Sequence, residues 1–208
     1  MNIQIFYLGS LMTNSYLVWD ESKEAYLFDC GGESLERIEQ FLKDKGLKLK
    51  YMVLTHGHGD HLAGLNKVKE IFPDVEVYVG EEDEQCLYKS ELNLMPYITG
   101  ADFCYAGDYH LVKEGDKIGK FTVIDTPGHT IGSKCFYCPE AKLLISGDTM
   151  FRRSFGRYDL PTSSGDMMYH SLNKLCTLPE DTKVYSGHSE PTTIGEEKAF
   201  LRMQGIVQ

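Results

Sequence analysis

Residues 55–61 read Thr-His-Gly-His-Gly-Asp-His, so three of the chain's seven histidines and a carboxylate crowd into one short segment. The segment directly follows Tyr51-Met-Val-Leu54, an apolar run that reads as a short buried strand. His56 and His58 lie two apart, so in extended backbone their rings point the same way and can share one metal ion. Gly57 and Gly59 remove side-chain bulk and let the chain turn sharply. Asp60 and His61 fall where the next helix begins, which predicts that they point away from the first pair, towards a second ion. For Asp60 alone, the plainer alternative is a helix N-cap. A lone histidine is usually structural, but a group of this density is not explained that way. Neutral imidazole and carboxylate are ordinary ligands of zinc and iron.

Three later positions have the same character, each just after an expected strand and among small turn residues. They are His129 in Thr126-Pro-Gly-His-Thr130, Asp148 in Ser146-Gly-Asp-Thr149 and His188 in Ser186-Gly-His-Ser189. Singly, each is an ordinary turn or loop residue. Together with His56, His58, Asp60 and His61 they make seven ligands, enough for two divalent ions if Asp148 bridges. Zinc is the expected metal, with iron or manganese as alternatives that the same donors accept. His110 and His170 lack this context and are read as structural.

The six cysteines are read as free, mostly buried thiols, because a chain of 208 residues does not need disulfide staples. Cys135 and Cys138 have C-x-x-C spacing. They sit in a strand, however, where positions three apart face opposite sides and cannot grip one ion. The net charge of −10 argues against a nucleic-acid partner. Met1 to Trp19 is uncharged, but it has no basic leader and polar residues interrupt it. It reads as two strands and a turn rather than a signal or a membrane span, so the default compartment is cytoplasmic and no membrane partner is expected.

Periodicity places a hairpin at the start, a third strand at 25–29 closed by Gly31-Gly32, and a helix through Leu35, Ile38 and Leu42 stopped by Gly46. A helix through Leu65, Val68 and Phe72, a strand at 76–79 and an acidic helix at 81–88 follow. Residues 90–107 read as irregular and tyrosine-rich, either a surface loop over a site or a plain insertion. Strands are expected at 109–112, 121–125, 134–138, 142–146 and 183–185, a helix at 166–176 and a last helix after Gly195. No linker interrupts this order, so 1–208 reads as one domain. The rhythm alone supports only mixed α and β, with two sheets and helices outside.

The seven-residue set resembles the metallo-β-lactamase superfamily, from the first hairpin to His188. The resemblance implies an α+β fold, a four-layer αββα sandwich. It also implies that His56, His58 and His129 hold one metal and Asp60, His61 and His188 the other, with Asp148 bridging. Phe151-Arg-Arg-Ser-Phe-Gly-Arg-Tyr-Asp159 is similar to a Gly-Arg-Thr-Asp segment of glyoxalase II-like thioesterases and of the related persulfide dioxygenases, Tyr158 replacing the small hydroxyl residue. Pro191-Thr-Thr-Ile-Gly-Glu196 is similar to the glyoxalase II-like pattern after the last histidine. The chain ends about twenty residues after His188, as in short hydroxyacylglutathione hydrolase-like forms without a glutathione-gripping extension.

The resemblance implies a hydrolase whose substrate is a small-molecule thioester or a related compound. Two metals about 3.5–4 Å apart activate a water between them, and the resulting hydroxide, which Asp60 could orient, attacks the carbonyl carbon. The rival on the same scaffold is a mononuclear-iron persulfide dioxygenase using His56, His129 and Asp148. A β-lactamase fits less well, because the resemblance gives those enzymes no bridging aspartate. A binding protein with purely structural metals is the remaining alternative. Arg157 and Asp159 are expected to pair and pin their loop rather than to act on substrate.

Overall fold

A computed structural model describes residues 1–207. The chain divides into two compact units, one of Met1–Val79 with Glu84–Leu111, the other of Gly80–Asp83 with Val112–Gln208. Each is organised on a six-stranded sheet.

The first unit runs β1 (Asn2–Leu8), β2 (Thr13–Trp19), β3 (Glu24–Phe28), α1 (Glu36–Lys45), β4 (Lys48–Val53), α2 (Gly59–Leu62), α3 (Leu65–Ile71) and β5 (Glu76–Gly80). The expected acidic helix is a 3₁₀ helix at Glu81–Leu87, and α4 (Ser90–Asn93), α5 (Met95–Thr99) and β6 (His110–Val112) follow. The sheet keeps sequence order, β1 to β6. Its first three strands are antiparallel, while β3–β4 and β4–β5 are parallel. Parallel neighbours need a crossover, which α1 supplies between β3 and β4.

Helix α1 buries Ile38 and Leu42. It ends as expected at Gly46, whose φ of 61° lets Gly46 N–H donate to Lys43 O and Leu47 N–H to Leu42 O. These side chains pack with Leu17, Leu27, Met52, Leu62, Leu65 and Val68 into the first core. The region 90–107 is more ordered than its composition suggests, because it contains the short helices α4 and α5. Asn93, fully buried, donates to Cys86 O and accepts from Met95 N–H.

The second unit runs β7 (Lys117–Ile118), β8 (Phe121–Asp125), β9 (Lys134–Cys138), β10 (Leu143–Gly147), β11 (Met150–Phe151), β12 (Ser154–Phe155), α6 (Gly165–Leu175), β13 (Lys183–Ser186), β14 (Thr192–Thr193) and α7 (Ile194–Met203). Its sheet order is β14-β13-β10-β9-β8-β7, with β10 and β13 parallel. Helix α6 is the crossover that this parallel pair requires. It starts at the N-cap Ser164, whose side chain accepts from Met167 N–H, and buries Met168, Leu172 and Leu175. Those residues join Leu144, Val184, Ile194 and Leu201 in the second core.

All six cysteines are free thiols, and all but Cys104 are buried. Burial pushes Cys30 up to about 12 and Cys135 up to about 11, so both stay protonated near neutrality. Among the described residues no helix is long and apolar enough to cross a membrane.

Candidate metal centre

In the first unit β4 delivers the histidine segment. Leu54 N–H still bonds Tyr78 O, and then the chain leaves the sheet through Thr55 to Gly59 into α2. His56, His58, Asp60 and His61 are all buried. The His56 ring lies 4.8 Å from His58 and 4.1 Å from His61, centroid to centroid. The expected opposition of His61 to the first pair is therefore corrected: one helical turn brings its ring back beside His56. The cap reading of Asp60 is also set aside, because His58 occupies the N-cap of α2 and Asp60 lies in the first turn.

Asp29, just after β3, holds this segment in place. Its carboxylate accepts from Thr55 N–H at 2.8 Å, from the Thr55 hydroxyl at 2.8 Å and from His61 Nδ1 at 2.9 Å. The backbone there has φ +57°, a left-handed conformation that aspartate tolerates better than most residues. These bonds fix the tautomers. Thr55 gives its single hydroxyl proton to Asp29, so its 3.1 Å contact with His56 Nδ1 is one in which His56 donates. His61 Nδ1–H donates to the Asp29 carboxylate. Both rings therefore carry their lone pair on Nε2, and His61 Nε2 stands 3.6 Å from Asp60 Oδ2.

In the second unit the ligand candidates leave neighbouring strands. Asp148 follows β10 and His188 follows β13, the parallel partner, with Gly187 N–H bonded to Gly147 O across the two exits. His129 follows β8, and its Nδ1–H donates to the carbonyl of Arg157 at 2.8 Å. Asp148 Oδ2 lies 3.5 Å from His129 Nε2 and 3.6 Å from His188 Nε2. The loop after β12 passes so close that a Cβ on Gly156 would sit 1.8 Å from Asp148 O and 3.2 Å from His129 Nδ1.

As expected, Arg157 and Asp159 pair with each other, by two hydrogen bonds of 2.7 and 2.9 Å on the surface. The Arg157 guanidinium holds the Asp159 carboxyl below its ordinary range. Tyr158 stacks on Phe155 and meets Tyr169 through the two hydroxyls at 3.2 Å. His110 stacks on Tyr78.

The donor chemistry of both units fits divalent metal. Ligands 2.0–2.1 Å from a tetrahedral ion stand about 3.3–3.4 Å apart, slightly beyond hydrogen-bond range. The three imidazole–carboxylate separations of 3.5–3.6 Å are close to such polyhedron edges. The outer acceptors on His56, His61 and His129 are the partners that orient metal-bound imidazoles.

The sequence pattern of the metallo-beta-lactamase superfamily matches residues 8–188, a span that includes every one of these side chains. The chain belongs to the metallo-β-lactamase superfamily. It is 33% identical to the hydroxyacylglutathione hydrolase GloC of Haemophilus influenzae, over 95% of each chain. Among solved structures it resembles BLEG-1, described as a B3 metallo-beta-lactamase, with a TM-score of 0.88 and 35% identity over 95% of this chain and 97% of the other. It also resembles TTHA1623 in a di-iron-bound form, with a TM-score of 0.85 and 33% identity over 94% and 96%. These likenesses establish the metallo-β-lactamase fold, the α+β class read from the sequence, and a metal-dependent hydrolase of this superfamily.

Sequence reasoning passed over Asp29 as a strand end and named Gly156 only as part of the segment similar to Gly-Arg-Thr-Asp, without a role at the site. Asp29 carries part of the signal that marked Asp148, a carboxylate at a strand exit, with Gly31 two residues on where Asp148 has Gly147 beside it.

Proposed function

We propose that this metallo-β-lactamase superfamily member hydrolyses a small-molecule thioester of the glyoxalase II type at a dinuclear centre. In this reading the two units form one catalytic domain. His56, His58 and His129 hold one ion, Asp60, His61 and His188 hold the other, and Asp148 bridges. The observation that supports it most is the tautomer pattern. His56, His61 and His129 each give Nδ1–H to a fixed acceptor, which leaves Nε2 as the donor atom. The likeness to the H. influenzae hydrolase supports the substrate class.

A divalent pair supplies an acidified water and positive charge for a developing oxyanion. The chain's own residues supply its orientation. Asp29 and Thr55 lock the His56 and His61 rings, the Arg157 carbonyl locks His129, and Gly156 lets that carbonyl approach. Cleavage of a thioester asks little more, because a thiolate leaves without a strong general acid. Zinc is the proposed metal, and the di-iron form of TTHA1623 makes iron the second metal to test.

The test is metal analysis of protein purified without added metal, followed by turnover on S-lactoylglutathione, a thioester lacking glutathione, a chromogenic cephalosporin and glutathione persulfide. Two ions per chain with thioester cleavage is the expected result. One iron with oxygen uptake on the persulfide, or cleavage of the β-lactam alone, overturns it.

A further inference from the structure

The first residue of β2 makes a contact that the metal ligands alone do not require. Thr13 is fully buried, and its hydroxyl donates to Asp60 Oδ2 at 3.2 Å, 47 residues away in sequence. The same oxygen faces His61 Nε2 at 3.6 Å. We infer that Thr13 is a positioning residue, whose hydroxyl holds the Asp60 carboxylate in the rotamer that presents it to the same ion as His61. This inference rests on the dinuclear reading above and deepens it.

The backbone around the contact is built so that Thr13 cannot drift. The register of the first hairpin pairs Leu8 with Thr13, and Gly9 enters the turn at φ +72°. A Cβ on Gly9 would lie 2.0 Å from Gly31 O. A Cβ on Gly31 would lie 2.4 Å from Asp60 O and 3.0 Å from Thr13 Cβ. Three backbone segments thus meet with no side chain between them: the hairpin turn, the Gly31 loop and the start of α2. Such contact holds Thr13 against the start of α2, where its hydroxyl reaches the Asp60 carboxylate. Asp60 sits in the four-residue helix α2, which has no side-chain cap bond.

Valine has nearly the shape of threonine without the donor, and serine keeps the donor without the methyl group. The experiment titrates zinc into metal-free wild type, Thr13→Val and Thr13→Ser against a chromophoric chelator, with circular dichroism of each metal-free protein. Outer partners of metal ligands typically contribute about 10–100-fold in affinity. The expected result is that Thr13→Val weakens the second zinc by that factor and leaves the first unchanged, while Thr13→Ser stays near wild type. Turnover of Thr13→Val should fall in kcat with KM little altered. Equal affinity of wild type and Thr13→Val for both ions overturns the assignment. So does equal weakening in Thr13→Ser, which would trace the effect to packing. Wild type that binds fewer than two ions overturns the dinuclear reading and this inference with it, a result distinct from the other two.

Discussion

Asp29 shows how much a single residue carries beyond the ligands themselves. Its carboxylate binds Thr55 twice and His61 once, and through Thr55 it also sets the proton position on His56. Replacing it by asparagine keeps the shape and the tolerance of positive φ but removes the charge and one acceptor. Asp29→Asn should fold and should bind metal about 10–100-fold more weakly, as measured by chelator competition. Unchanged affinity would mean that the His61 ring is held by packing alone. Arg157 teaches the opposite lesson. Its side chain is spent on Asp159 at the surface, and the group that touches His129 is its carbonyl, which any residue possesses.

At the scale of elements, the second unit places its candidates by strand exit and loop contact. Helix α6 makes β10 and β13 parallel neighbours, so Asp148 and His188 emerge side by side. The loop after β12 then closes over Asp148 at Gly156. Gly156→Ala forces that loop away and should cost about 1–3 kcal/mol of stability together with a loss of metal affinity. Ser164→Ala removes the α6 cap and should cost about 1 kcal/mol with metal affinity intact. Urea denaturation and metal titration of the two variants separate the roles. A Gly156→Ala protein with wild-type affinity would remove the loop from the account of the site.

For the whole molecule, two bound ions should contribute to stability by mass action. At free metal about 100 times Kd, each adds about 2.7 kcal/mol. For a chain of this size one kcal/mol shifts the melting midpoint by about 2–4 °C. Chelation should therefore lower the midpoint by about 10–20 °C, restored by added zinc; scanning calorimetry with no shift would argue against a dinuclear centre. The candidate ligand residues and their spacing were legible in the sequence, because histidine pairs at strand exits have few other uses and glycine marks where backbone must turn. Hydrophobic rhythm likewise placed most strands and the long helices, since burial repeats with the period of the element. Short two-residue strands, the 3₁₀ form of the acidic helix at Glu81–Leu87 and the helices within 90–107 were not legible, because too few residues repeat to show a period. Nor were the partners of the ligands. Asp29 meets His61 across 32 residues, Arg157 meets His129 across 28, and Thr13 meets Asp60 across 47. Strand pairing and loop closure bring those groups together, and such distant pairings follow from the packed backbone rather than from any local pattern of side chains.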